Sequence, residues 1–223
     1  MKLSRRIQAL LDMVKDDYHH IWDCCCDHGY LGLALMEKYP QRTVHFVDIV
    51  PELIDNVSLS VQQMARTNHS NGVTHCIDVA SLPLEQYPGK HLIIIAGVGG
   101  DLTLELVTQL RAKHPNQPLD FLLCPVHHLY MLRQALREMD FRLLSETLIE
   151  ENRRFYELLH ISNSEHLPQR VSPVGQQLWQ NADKATAIRY QKKTVAHYQR
   201  IKIGQGEAIE QIIEHYLQIQ FAD

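Results

Sequence analysis

No apolar run in this chain approaches the roughly 18 consecutive residues that a membrane-spanning helix needs, so no such helix is expected. Residues 1–15 also lack the short apolar core of a secretory signal. They place Leu3, Ile7, Leu10, Leu11 and Val14 at helical spacing instead. Asp12, Asp16 and Asp17 argue against a transit peptide. The expectation is a cytoplasmic protein that engages no membrane. Cysteine is scarce and odd in number: Cys24, Cys25, Cys26, Cys76 and Cys124. Three consecutive thiols and two distant ones do not make a disulfide framework. Adjacent cysteines on a strand point to opposite faces, and no C-x2-C or H-x3-H pair recurs at finger spacing. No metal is expected, and the thiols read as small buried hydrophobes. The 14 histidines exceed anything this chemistry requires. A formal charge of −4 gives no global sign of nucleic-acid binding. Repeats and low-complexity tracts are absent.

What is present suits one α/β domain of about 150 residues with a small appendage, in a chain of 223 residues that is 45% apolar. Strand and helix patterns alternate to about residue 140. His19 to Asp23 is a short apolar run ending in an acid. A small-residue turn follows, then a helical segment with Leu31, Leu33, Leu35 and Met36. Arg42 to Asp48 is a second strand, again ending in an acid. Pro51 opens a helix, which suits its fixed φ. Val73 to Ile77 is a strand ending at Asp78. His91 to Ala96 is a solid apolar run, as for a strand covered on both faces, broken by Gly97-Val98-Gly99-Gly100. Phe121 to Cys124 is another buried strand, ended by Pro125, and His127 to Met139 is a helix.

The rhythm then changes. Phe141 to Ile149 and Phe155 to Ile161 are strand-like and joined by the polar Glu150 to Arg154, which is a hairpin and not a helical crossover. A parallel sheet closed by an antiparallel hairpin is the pattern of class I methyltransferases, not of dehydrogenases. Residues 163–182 read as a linker, polar and proline-bearing at Pro168 and Pro173. Beyond it, Ile188, Val195, Tyr198 and Lys202 share one side of a helix. Gly204-Gln205-Gly206 makes a turn, and Ile209, Ile212, Ile213, Tyr216 and Ile219 repeat the pattern. The expected fold is therefore α/β: a Rossmann-like class I methyltransferase sheet over 1–162, plus a small C-terminal helical hairpin domain over 183–223. Charge is segregated in the tail. Arg170 to Gln205 holds seven basic residues against Asp183 alone, and Gly206 to Asp223 holds four acids and no base.

The turn after the first strand, Cys24 to Gly29, holds one glycine and a carboxylate. A dinucleotide pyrophosphate needs G-x-G-x-x-G there, so NAD is disfavoured. A cofactor without phosphates, but with a cationic sulfur and an amino-acid end, fits better, and S-adenosyl-L-methionine is that cofactor. Asp23 or Asp27 would accept from its ammonium group, Asp48 from the ribose and Asp78 from the adenine amino group. Each acid alone also reads as an N-cap or a solvated turn residue. The Asn-Pro-Pro-Tyr of many amino-group methyltransferases is missing after the fourth strand. Glycines there let backbone approach the methyl donor and a flat acceptor.

These residues resemble a known family. Ser4-Arg5-Arg6-Ile7, Asp23 to Tyr30, Ile94 to Gly100 and Thr147 to Leu158, in that order, are similar to the motifs of TrmK-like bacterial tRNA adenine-N1 methyltransferases. The resemblance implies a Rossmann-like domain binding S-adenosyl-L-methionine, a coiled-coil-like C-terminal domain, and methylation of N1 of adenine 22 in a tRNA partner. Carried over, Asp23, Asp27, His28, Gly29, Asp48, Asp78, Gly97 and Gly99 line the cofactor site, with Cys25, Ile49, Val79 and Val98 beside them. Three positions depart from the family: Cys25 for a loop glycine, Cys124 for a common Gln, and Val126 for a frequent Asn.

Neutral adenine N1 already carries an in-plane lone pair, so catalysis is mostly positioning. The product ring is cationic, and Asp27, Tyr30 and Tyr156 are the candidates to stabilise it. Arg5, Arg6, Arg153, Arg154, Arg189, Lys192, Lys193 and Arg200 are the candidate grip on RNA phosphates. A methyltransferase of a small molecule or a protein, or a binding module without catalysis, are the competing expectations. The oligomeric state is left open.

Overall fold

The computed structural model describes residues 3–68, 70–202 and 207–221, so the turn expected at Gly204-Gln205-Gly206 lies outside the described residues. Seven strands form one sheet: β1 (His20–Cys24), β2 (Thr43–Asp48), β3 (Asn71–Cys76), β4 (His91–Ala96), β5 (Leu119–Cys124), β6 (Arg142–Glu151) and β7 (Arg154–Ser162). Their spatial order is β3-β2-β1-β4-β5-β7-β6. All neighbours pair in parallel except β7, which runs antiparallel to both β5 and β6. The helices are α1 (Arg5–Met13), α2 (Tyr30–Lys38), α3 (Pro51–Asn68), α4 (Gly100–Lys113), α5 (Leu129–Glu138), α6 (Gln177–Asn181), α7 (Lys184–Lys202) and α8 (Glu207–Leu217). No described helix is long and apolar enough to cross a membrane.

The sheet is covered on both faces, which is why its central strands are apolar throughout. One core gathers Ile21, Val44, Phe46, Ile94 and Leu122 against α1, α2 and α3. The other gathers Trp22, Val47, Ile93, Phe121 and Leu123 against α4 and α5. The Rossmann-like sheet, its closing hairpin and the helical tail all stand as the sequence predicts. Boundaries differ by one or two residues at most elements, β5 for example starting at Leu119 and not Phe121, and two of the differences have a clear physical reason. Strand β3 starts at Asn71, not Val73, because it is the edge strand, exposed or half-buried along its length, and so carries no apolar alternation to read. The polar stretch Glu150 to Arg154 is mostly strand: Glu151 pairs with Arg154. Only Asn152 and Arg153 turn, at φ 51 and 61, as a two-residue turn whose twist matches the strands.

Part of the surplus of histidine is internal, with His45, His91, His114 and His160 buried. His20 Nδ1 lies 3.1 Å from His45 Nε2, and His45 Nδ1 lies 2.9 Å from His75 Nε2. The imidazoles thus form a hydrogen-bonded ladder across β1, β2 and β3. Trp22 stacks on His45 with ring centres 3.7 Å apart and donates from Nε1 to His91. Burial pushes His45 down to about 2 and His91 to about 4, and lowers His20 and His75.

A second buried polar group joins the tail to the sheet. Arg133 on α5 donates from Nε to Glu157 on β7 at 2.5 Å and from Nη2 to Glu146 on β6 at 2.7 Å, with all three side chains fully buried. Its Nη1 donates to the Ser172 carbonyl at 3.0 Å. Glu146 Oε1 accepts from the N–H groups of Gln176 and Gln177. Tyr190 of α7 donates to Glu157 at 2.5 Å. Burial alone would lower Arg133, but the two carboxylates outweigh it and hold its pKa above the ordinary value. A third apolar cluster, with Tyr130, Leu148, Trp179, Tyr190 and Tyr216, packs α6, α7 and α8 on α5 and the hairpin.

Two outcomes are expected. An unfolded imidazole titrates near 6.5, and the folded ladder refuses that proton. Its stabilisation is therefore full above about pH 6.5 and lost as the pH falls towards 4. Calorimetry should show Tm dropping by several degrees between pH 7.5 and 5. His45→Phe should cost about 1–3 kcal/mol at pH 7.5, with its deficit against the native chain narrowing on acidification; a widening deficit would contradict the ladder's role. Separately, Arg133→Met leaves two buried carboxylates unpaired and should cost about 3–5 kcal/mol in urea unfolding. Adding Glu146→Leu and Glu157→Leu should recover much of that loss.

Candidate active site

Strand order reverses between β1 and β4, and in an open α/β sheet ligands bind beyond the carboxyl ends of the strands at that point. The loop after β1 is shaped by left-handed residues at Cys25, Asp27 and Gly29, with φ of 55, 49 and 69. It is pinned by Cys26 N–H donating to the Val47 carbonyl and Gly29 N–H to that of Cys26. Asp27 N–H then donates to Asp48 Oδ2 at 3.2 Å, and Val50 N–H to Asp48 Oδ1 at 3.1 Å. Asp48 is therefore fixed by two main-chain donors while each oxygen keeps a lone pair. Asp78 accepts from Ala80 N–H at 2.8 Å, capping a 3₁₀ turn, with its side chain exposed.

Asp23 differs from the other acids. It is 5% exposed and turned under the loop, where Gly32 N–H donates to it at 2.8 Å. Burial pushes its pKa up to about 7, with Asp48 adding to the rise. The half-buried Cys25 thiol is pushed up to about 11, first by burial and then by Asp48, Asp23 and Asp78. Three carboxylates from three strand ends therefore act on one sulfur. Among the remaining cysteines, Cys24, Cys26 and Cys124 are buried with raised pKa values and Cys76 is exposed.

The opposite wall is built by the loops after β4 and β5, which are joined through the main chain. Gly97 N–H donates to the Cys124 carbonyl, Val126 N–H to that of Val98, and Gly100 N–H to that of His127, at 2.9–3.0 Å. A side chain at Gly97 would meet nothing within 4 Å, so the mouth is open there. Val98 is half-buried, and Val79 is buried in the core. Ile49, Tyr30 and Val126 stay 67%, 50% and 44% exposed around the strand ends. Sequence reasoning missed part of this wall. Asp101, in the first turn of α4, bonds His128 Nδ1 at 2.5 Å, beside His127. The available signal was an acid just after a glycine turn and paired imidazoles just after Pro125.

Of the candidate catalytic residues, Asp27 and Tyr30 come together. Asp27 pairs with His28 at 2.7 Å, and the His28 ring stacks on Tyr30 at 5.7 Å. Tyr156 stands apart from them, with the Arg6 guanidinium 4.9 Å over its ring. Because Leu123 faces Leu159 across the antiparallel β5–β7 pair, Tyr156 lies past the carboxyl end of β5.

The candidate RNA grip converges on the hairpin tip from three distant parts of the chain. Arg5 N–H donates to Glu151 and its guanidinium to the Glu150 carbonyl; Lys193 donates to the Arg153 carbonyl and lies over Phe155. Arg189 is committed to Glu150 at 2.5 Å, whereas Arg154, Lys192 and Arg200 are exposed and pair with no acid among the described residues. A groove of about 700 Å³ opens between α1, β6 and α7, lined by Arg5, Asp12, Glu150, Asp183 and Arg189. It lies on the far edge strand, beyond β5 and β7 from the switch point, and its charges are mixed, so the switch point and not this groove is the candidate active site.

Comparison with known proteins bears on the family and the fold. A family model described as a methyltransferase domain matches residues 3–159. A Mycoplasma pneumoniae protein named "Putative tRNA methyltransferase" is 26% identical over 199 residues, 84% of this chain and 86% of that one. The structure of TrmK from M. capricolum, in complex with S-adenosyl-homocysteine, superposes with a TM-score of 0.75 at 17% identity, covering 98% of this chain and 97% of that one. The B. subtilis M1A22 tRNA methyltransferase TrmK gives 0.65 at 20% identity, covering 97% and 94%. At these identities the two structures establish the fold.

The left-handed backbone at Cys25 yields a stability prediction. A side chain in that region costs about 1–2 kcal/mol that glycine avoids. Cys25→Gly should raise Tm by roughly 2–4 °C per kcal/mol recovered, and Cys25→Val should lower it. A glycine variant that melts below the native chain would show that thiol packing outweighs the strain.

Proposed function

Because the chain belongs to the methyltransferase domain family, we propose that it transfers the methyl group of S-adenosyl-L-methionine to N1 of an adenine in tRNA, at position 22. One observation supports this most: a carboxylate-lined mouth at the switch point lies on the same molecule as a basic rim assembled by the β6–β7 hairpin. The mouth fits the cofactor's chemistry. Asp48, Asp78 and Asp23 concentrate negative charge on Cys25, which repels phosphates and favours a sulfonium nucleoside with an ammonium end.

The cofactor brings an electrophilic methyl carbon. Asp48, held by Asp27 N–H and Val50 N–H, accepts from both ribose hydroxyls. Asp78 would accept from the adenine amino group, and the exposed Ile49 would pack on its ring. Asp27, His28 and Gly29 hold the amino-acid end, with Asp23 beneath the loop as a buried acid. The Gly97-Val98-Gly99 turn keeps the space over β4 free for a flat base. The target base leaves its stack to enter, and Asp27, Tyr30 or Tyr156 meets the positive charge that grows on the ring. Arg5, Arg6, Arg153, Arg154, Arg189, Lys192, Lys193 and Arg200 hold the RNA backbone, with the exposed Lys192, Arg154 and Arg200 contributing most of the salt dependence. Residues 1–162 serve as the cofactor domain and 183–223 as the helical hairpin domain, joined by 163–182. The site of action is the cytoplasm.

The test is to incubate the protein with labelled S-adenosyl-L-methionine and bulk tRNA lacking the modification, then map the methylated base. Label at N1 of adenine 22 is the expected result. Cofactor binding without transfer to tRNA would favour a small-molecule or protein acceptor; absence of cofactor binding would favour a module without catalysis. Asp48→Ala should weaken cofactor binding tenfold or more (about 1.4 kcal/mol) and leave tRNA affinity within twofold. Lys192→Glu with Lys193→Glu should reverse that pattern and flatten the salt slope. Equal losses in both assays would overturn this division of labour.

A further inference from the structure

Asp101, His127 and His128 have no part in the carboxylate mouth, yet they stand on the wall that faces it. His128 is held twice. Its backbone is left-handed at the N-cap of α5, with φ 58, and its Nδ1 lies 2.5 Å from Asp101 Oδ2. A carboxylate partner keeps the proton on Nδ1 and so leaves Nε2 as the lone-pair nitrogen. The His128 side chain is 56% exposed, and no bond to Nε2 is present among the described residues. The wall that carries it is fixed, because the loops after β4 and β5 are joined by main-chain bonds at Gly97, Val126 and Gly100. His127 fills the space beside Gly99, where a Cβ would stand 2.3 Å from its Cε1. The Val126 side chain can make no hydrogen bond, so the two histidines after it are the first polar side chains of that loop.

Adenine N1 and the 6-amino nitrogen are neighbours on one edge of the ring. A base that presents N1 over Gly97 carries its amino group to the adjoining wall. We propose that His128 Nε2 receives that 6-amino group, first as a hydrogen-bond acceptor and then as the base that takes its proton, with Asp101 as positioning residue. The proposal rests on the adenine-N1 reading above. As the N1 lone pair forms the new N–C bond, the C–S bond breaks with its electron pair going to sulfur, and the ring becomes a cation. A 6-amino proton then passes to His128 Nε2, leaving a neutral 6-imino ring. The imidazolium so formed is met by the Asp101 carboxylate and releases its proton to solvent from its exposed edge.

A chemical cycle tests this with tRNA assembled to carry either adenosine or purine riboside, which keeps N1 but lacks the amino group, at the mapped target. Native protein should methylate purine roughly 10- to 100-fold more slowly than adenine in single turnover. In His128→Asn, whose amide side chain tolerates the left-handed backbone, and in Asp101→Asn, the two substrates should differ by less than about threefold, with cofactor affinity unchanged. Equal discrimination by native and variant proteins would overturn the proposal, as would failure of both variants to slow transfer to adenosine. Failure of the native protein to methylate tRNA adenine at all would instead overturn the underlying reading, and this assignment with it. Loss of cofactor binding in both variants would assign the pair a structural role and overturn the proposal.

Discussion

One guanidinium holds the two halves of this molecule in register. Arg133 is buried between Glu146 and Glu157, so α5, both strands of the closing hairpin, the segment around Ser172 and Gln176, and α7 through Tyr190 all meet at one point. Two carboxylates against one cation would be unfavourable in a dry interior without further donors. Here those donors come from main-chain N–H groups and a tyrosine hydroxyl. The consequence is geometric as much as energetic. The helical tail cannot rotate against the sheet without breaking a fully buried polar network, and the basic residues it carries hold a set position relative to the strand ends.

The mouth at those strand ends depends on the same economy of main-chain donors. Asp48 is oriented by backbone N–H groups, and the β4 and β5 loops are joined by three backbone bonds beside the Asp101–His128 pair. Side chains around the mouth are thus left with unused hydrogen-bonding capacity. A site assembled this way is pre-organised for a ligand that arrives with its own donors and a positive charge. The wall opposite carries Asp101, His127 and His128.

Much of this was legible in the sequence, and the reasons are specific. Apolar strands ending in Asp23, Asp48 and, one loop later, Asp78 are the linear image of a doubly covered parallel sheet, and the change of rhythm after residue 140 announced the hairpin. What escaped has physical causes. The histidine ladder is invisible in sequence because His20, His45, His75 and His91 lie on four different strands and meet only through register. The Arg133 network escaped because a buried arginine in a helix looks like any exposed one until its partners are known. Asp101 and His128 are 27 residues apart and are joined only by the β4–β5 pairing. The burial of Asp23 differs from its neighbours because it occupies the penultimate strand position, and alternation turns its side chain under the loop.

The two-residue turn at Asn152 and Arg153 gives the closing hairpin a defined length, and that length acts as a spacer. The hairpin is rooted along β5, where Ser162 pairs with Asp120 and Leu159 with Leu123, and its far end runs past β5 to the turn that carries Arg153 and Arg154. Each added residue pair would extend it by about 3.4 Å, the rise of a single step along a nucleic-acid strand. On the proposed function, the nucleotide that reaches the reaction centre is chosen partly by measurement. The hairpin's length would then set how far its basic turn stands from the reaction centre.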